Sequence, residues 1–289
     1  MPLQKLKNEI LSVFQEKLSI EVPRIVRGNG TRKEKAKEIN ALAGAIKTIV
    51  SEQVTKMPIG ERPNYALILQ YCFSVASLEY RHMVWPYEYM AFSRRVGELW
   101  EAFCRAAWDY PSRPGVARIT TPDFAAVRDT LITRMKDNIG THHKRDELLE
   151  DVNTLFEIIG EINMREDKVF SVDQIPYVID FKSGFGSNEK GNTSRLLTVG
   201  KAYRIWNKDT RLLLLVRQDE NNNYLNVLRR SGLWEVHTGT NAYQQISELT
   251  GADLQTIRDT VINWQADLSN SLYEYLKNQP TDLTSYLTW

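Results

Sequence analysis

Apolar residues recur every four positions at the start of the chain. Leu6, Ile10, Phe14 and Leu18 mark a first amphipathic helix. A polar break, Arg27-Gly28-Asn29-Gly30, is followed by Thr31 with Glu34 three residues on, the pattern of a capping box. The helix it opens carries Ile39, Leu42, Ile46 and Ile49 or Val50 on one face. Residues 65 to 84 are apolar nearly all round, which predicts a buried helix. Pro86 opens a fourth helix, over about 87–108, and Pro111 and Pro114 end it. Two more helical segments are expected over roughly 122–138 and 146–162.

The period then changes from helical to alternating. Residues 168–171 and 177–182 read as strands, 194–206 as a helix, and 211–217, with four consecutive leucines, as a buried strand. Asp219-Glu220-Asn221-Asn222-Asn223 reads as a turn with strands on both sides. The last fifty residues return to helix, 241–249, stopped by Gly251, and then 253 to about 277. This order predicts an α/β (α+β) fold: a mixed sheet inserted between helical elements, with the strand 177–182 near its centre. The expected division is a helical region 1–85, a core 86–240 with a helical insertion at about 120–165, and a helical region 241–289.

That central strand carries charge where a buried strand should have none. In Val172-Asp173-Gln174-Ile175-Pro176-Tyr177-Val178-Ile179-Asp180-Phe181-Lys182-Ser183-Gly184, the residues Val178, Ile179 and Phe181 are apolar on both faces, the mark of a strand inside a sheet. Asp180 and Lys182 interrupt it two residues apart, hence on one face. Buried charges are tolerated when they are paired or bind a metal. Asp173, seven residues upstream and beyond Pro176, is expected to return on a neighbouring strand with a second carboxylate. Two carboxylates and a lysine on a sheet suit a hard divalent cation and a phosphate.

Asp173, Asp180 and Lys182, at this spacing and in this apolar setting, resemble the active-site stretch of the PD-(D/E)XK nuclease superfamily, and within it the MutH-like branch of restriction enzymes. The resemblance implies a mixed-sheet nuclease core and Mg2+ held by Asp173 and Asp180, with Lys182 at the attacking water. It further implies hydrolysis of phosphodiester bonds in double-stranded DNA at a specific sequence, by a homodimer of restriction type. Val96-Gly97-Glu98-Leu99-Trp100-Glu101 resembles the helix that delivers another acid in that family, which maps onto Glu101, with Glu98 as the alternative. If the insertion replaces that helix, Glu157 or Glu161 takes the place. Two other readings stand beside this one: a monomeric nicking or repair nuclease, and a non-catalytic helical interaction protein in which Asp180 and Lys182 are structural.

Composition narrows the partners rather than the chemistry. Lys and Arg number 37 against 36 Asp and Glu, so no global basic charge advertises nucleic acid, although a local basic cleft can coexist with acidic flanks. Lys190, Arg195, Lys201 and Arg204 are candidate phosphate contacts, a solvated helix face being their alternative. Cys72 and Cys104 fall in apolar helical stretches and read as core packing in a reducing compartment. No apolar run of signal-peptide or membrane-span length is seen, so a cytoplasmic protein is expected. His142-His143 sits in a polar turn and reads as exposed loop. The stretch 184–192 lacks the ending of a phosphate loop and reads as a loop flanking the site. The segment 244–257 has the glycine-centred spacing of a helix-turn-helix, with a plain helical hairpin as the default.

Overall fold

The computed structural model describes residues 2–164, 166–184, 190–219 and 222–289. The chain forms two compact units, a helical one from Met1–Pro114 and Thr240–Trp289, and a sheet-bearing one, Gly115–Gly239, inserted between those two stretches. The helical unit begins with α1 (Leu3–Arg27), α2 (Arg32–Ser51), α3 (Arg62–Val84) and α4 (Tyr89–Asp109). The second unit contains β1 (Val116–Arg118), α5 (Phe124–Ile139), α6 (Arg145–Ile159), β2 (Lys168–Val172), β3 (Ile175–Lys182), α7 (Lys190–Trp206), β4 (Arg211–Val216), α8 (Asn223–Arg230) and β5 (Trp234–Thr238). The chain then returns to the helical unit with α9 (Thr240–Thr250), α10 (Leu254–Thr260), α11 (Trp264–Asp267) and α12 (Asn270–Lys277). The first division therefore falls after Pro114 rather than at residue 85, because α4 buries its apolar face within the helical unit. No helix among the described residues is long and apolar enough to cross a membrane.

In the helical unit α3 is the hub, buried on nearly every side, and α1 lays Leu6, Ile10, Phe14, Leu18 and Val22 into the core. The capping box of α2 forms as the sequence predicts: Glu34 N donates to Thr31 Oγ1 at 3.3 Å, and Thr31 N to Glu34 Oε2 at 2.8 Å. The single helix expected after residue 253 is instead three short ones. Asn263 Oδ1 accepts from Ala266 N and Ser269 Oγ from Leu272 N, so each polar side chain starts a new helix rather than continuing the last. These breaks turn Asp267 inward. Lys7 Nζ lies 2.9 and 2.8 Å from its two oxygens and 3.1 Å from Val261 O, and Tyr71 Oη donates to Asp267 Oδ2 at 2.7 Å.

The sheet runs β1-β2-β3-β4-β5, antiparallel for the first two pairings and parallel for the last two. The Asp-x-Lys strand, β3, is its centre, as the apolar pattern implies. Two-sided burial explains the leucine run: Leu212 to Val216 are fully buried between β3 and β5. Parallel pairing demands crossovers, and α7 and α8 supply them. The strand expected directly after the 219–223 turn is therefore α8, opened by Asn222 Oδ1 accepting from Leu225 N at 3.0 Å. Gly200 lets α7 lie close on the sheet, since a Cβ there would stand 2.8 Å from Trp234 Nε1, which itself donates to Leu196 O.

The Lys7–Asp267 pair generates a stability prediction. Asp267→Ala strands a buried ammonium and should cost about 3–5 kcal/mol in urea unfolding. The double change Lys7→Met with Asp267→Leu should cost far less than Asp267→Ala alone. Equal losses in both proteins would contradict the pair's role.

Candidate active site

Alternation along β3 places Val178, Asp180 and Lys182 on one face and Tyr177, Ile179 and Phe181 on the other. The first face is the one α7 covers, where Val178, Leu212, Leu214 and Val216 pack against Leu196, Val199 and Tyr203. Asp180 stands at the margin of that core, only 2% exposed. Lys182 ends β3 as Val216 ends β4, so the pair sits at the carboxyl end of the parallel strands, the edge where α/β sheets usually bind ligands.

Three segments meet there. Lys182 Nζ lies 2.5 Å from Asp180 Oδ1 and 3.3 Å from Phe181 O. From α7, Arg195 reaches down and bridges two carboxylates, with Nη2 2.8 Å from Asp180 Oδ2 and Nη1 2.6 Å from Glu166 Oε1. From the lead into β2 come Glu166, its side chain 1% exposed, and Asp167, whose Oδ2 accepts from Phe181 N at 2.8 Å. Tyr203 of α7 fixes this lead by donating to Met164 O. Arg217, 7% exposed, donates from Nε to Ser183 O just beyond.

The electrostatics divide the two carboxyls. Burial, then hydrogen bonding to Asp180 and the Asp180 charge, push Glu166 up to about 8, with Arg195 opposing. Burial also acts to raise Asp180. The Lys182 charge, hydrogen bonds from Glu166 and Lys182, and the Arg195 charge outweigh it, so Asp180 is held below its ordinary value. Among the described residues, Glu166 Oε2 is buried with no hydrogen-bond partner, whereas Asp180 Oδ1 is held by the Lys182 ammonium at 2.5 Å. Such an atom on one of two interacting carboxyls is satisfied by a shared proton or by a cation.

Asp173 needs correction. It lies not beside Asp180 but in the two-residue turn between β2 and β3, where Asp173 and Gln174 take left-handed φ values of 51° and 69°. The strand from Ile175 to Asp180 spans roughly 16 Å, so Asp173 marks the opposite end of the hairpin. It is exposed, and its backbone N donates to Gly115 O. The acids that accompany Asp180 are the ones the sequence reading missed, Glu166 and Asp167. The signal was the turn itself: with Val172 opposite Ile175 and Lys168 opposite Ile179, the next step puts Asp167 across from Asp180.

The remaining candidates have other partners or are exposed. Glu101 belongs to α4 of the helical unit, where Arg105 Nη2 is 3.0 Å from it, and Glu98 is paired with Arg94 and Arg95. Glu157 and Glu161 are exposed. Of the four candidate phosphate contacts only Arg195 is at the site. Lys190 is exposed at the first residue of α7, and Lys201 and Arg204 lie roughly 9 and 14 Å further along that helix than Arg195. Arg204 donates to Lys208 O. His142 and His143 are exposed, and residues 185–189 of the expected flanking loop lie outside the described residues. The 244–257 segment is α9 and α10 joined through Gly251 (φ 74°), with Leu254 and Ile257 buried.

A divalent metal fits this donor set in one respect. Among the described residues no three carboxylate, imidazole or thiolate groups converge as a ready cage. Magnesium, however, takes one or two carboxylates and keeps its own waters, and Glu166 and Asp180 are two carboxyls side by side. Compared with known proteins, the chain matches no family model, no curated protein and no solved structure.

The raised Glu166 sets a sign for pH dependence. A folded value above the ordinary one contributes stability below about pH 4.5 that is lost as pH rises through about 8. In EDTA the melting temperature should fall between pH 5 and 8.5, and Glu166→Gln, permanently neutral, should flatten that slope. Parallel slopes for the two proteins would contradict the assignment.

Proposed function

We propose that the protein is a divalent-metal-dependent nuclease that hydrolyses phosphodiester bonds in double-stranded DNA, with Glu166 and Asp180 as metal ligands and Lys182 as the catalytic base or charge stabiliser. The observation that carries this reading is the buried carboxyl pair Glu166 and Asp180, with Glu166 Oε2 unpartnered among the described residues, set beside a lysine at the carboxyl end of the parallel strands. The topology agrees with it: an antiparallel meander, a crossover helix and a parallel strand surround an Asp-x-Lys strand, as the resemblance to PD-(D/E)XK nucleases leads one to expect. Restriction-type cutting by a homodimer, one site for each strand, is the fuller form of the proposal.

A divalent cation held by Glu166 and Asp180 would supply Lewis-acid polarisation of the phosphate. The chain's own residues do the rest. Lys182, its side chain 20% exposed, is the last residue of β3, and its ammonium beside Asp180 can orient a water or offset charge on the phosphoryl oxygens. Asp167 fixes the β3 backbone beneath it through Phe181 N. Arg217, buried beside Ser183 O, adds positive charge close to the site. The competing reading is a purely structural ion cluster, favoured by the close match of positive and negative groups.

Plasmid cleavage with Mg2+ separates these readings, and linear products distinguish double-strand cutting from the open circles of a nickase. In single-turnover reactions at saturating protein, Asp180→Asn and Lys182→Met should each lower the rate at least ~10²-fold. Asp173→Asn should stay within a few-fold of wild type. Normal cleavage by Asp180→Asn, or loss of cleavage in Asp173→Asn, would overturn the assignment.

A further inference from the structure

Among the described residues, Arg195 is the one cationic group at this site that is paired with both carboxyls. We propose that Arg195 is a resident counter-ion that a divalent cation displaces and that then pairs with a backbone phosphate of the substrate, so that cation and DNA bind with positive coupling. This rests on the active-site reading above and assigns a regulatory role to a residue of the same site.

Occupancy is the first reason. Arg195 takes one oxygen of each carboxyl, and Lys182 takes the other oxygen of Asp180. A divalent ion that joins both carboxyls has to draw a cation off them. Displacing Arg195 onto a phosphate makes that room. Geometry says which cation withdraws. Lys182 is the more enclosed, 20% exposed against 36% for Arg195, and it leans on Phe181 O of its own strand. Arg195 reaches the site from α7 on a long side chain and spends its two terminal nitrogens on Glu166 Oε1 and Asp180 Oδ2. Glu166 Oε2 has no hydrogen-bond partner among the described residues, and Asp180 Oδ2 is freed for the cation when Arg195 withdraws. A freed guanidinium presents a planar pair of donors that matches phosphate. The phosphate contact that the sequence suggests for Arg195 and its observed grip on the carboxylates are then two states of one side chain.

The test is Mn2+ binding without DNA, followed by the electron paramagnetic resonance of the free ion. Arg195→Leu should bind Mn2+ about 10-fold or more tightly than wild type, since a like charge within ~4–6 Å shifts a neighbouring equilibrium by one to three log units. Arg195→Lys, which reaches one carboxylate only, should fall between them and carries the test if the leucine variant does not fold. In the reciprocal arm, Ca2+ should tighten wild-type binding to a labelled duplex oligonucleotide and do so about 10-fold less in Arg195→Leu, as linkage requires. Equal or weaker Mn2+ binding in the variants overturns the counter-ion role and leaves the nuclease reading standing. Wild-type protein that binds no more Mn2+ than Asp180→Asn overturns the nuclease reading itself.

Discussion

A carboxylate buried at the centre of an otherwise apolar sheet cannot stand alone. Removing such an ion from water costs several kcal/mol even after relaxation, and the surroundings of Asp180 are arranged to offset that cost. Lys182 comes from the same strand, Arg195 from the crossover helix and Glu166 from the approach to β2. Three segments are thus drawn to one point by one charge. Their convergence fixes the carboxyl end of the sheet with little freedom, which is the preorganisation a catalytic site requires.

The helical unit contains the instructive contrast. Asp267 is also buried opposite a lysine, but its oxygens receive Lys7 at 2.8 and 2.9 Å and Tyr71 at 2.7 Å. That pair is saturated, and Lys7 spends its remaining capacity on Val261 O. At Asp180 both oxygens are paired, with Lys182 and Arg195, but the facing Glu166 Oε2 has no hydrogen-bond partner among the described residues. Saturation is what a structural ion pair needs. Residual capacity is what a binding site needs, and the difference supports separate roles for the two clusters.

Much of the fold could be read from periodicity. The four-residue recurrence in α1, the Thr31 capping box, the leucine run of β4 and the place of the Asp-x-Lys strand all follow from local pattern. The misreadings have a common cause in polar residues that cap or turn. Asn263 and Ser269 break the last helix, Asn222 opens α8, and Asp173 shapes a hairpin turn rather than a metal site. A correct interval between Asp173 and Asp180 was persuasive in one dimension, but in a hairpin the acid near Asp180 must lie symmetrically across the turn. Glu166 and Asp167 satisfy that condition and carry no motif of their own. Arg195 was legible as a basic residue on α7, while its partners depended on long-range packing that no local pattern reports.

The central claim is that Glu166 and Asp180 hold a divalent cation, and anomalous diffraction from crystals soaked in Mn2+ tests it most directly. The account predicts an anomalous peak within coordination distance of the Glu166 and Asp180 carboxylates, with the Arg195 guanidinium moved off them. A map with no peak there, and Arg195 still bridging the two acids at saturating Mn2+, would contradict it.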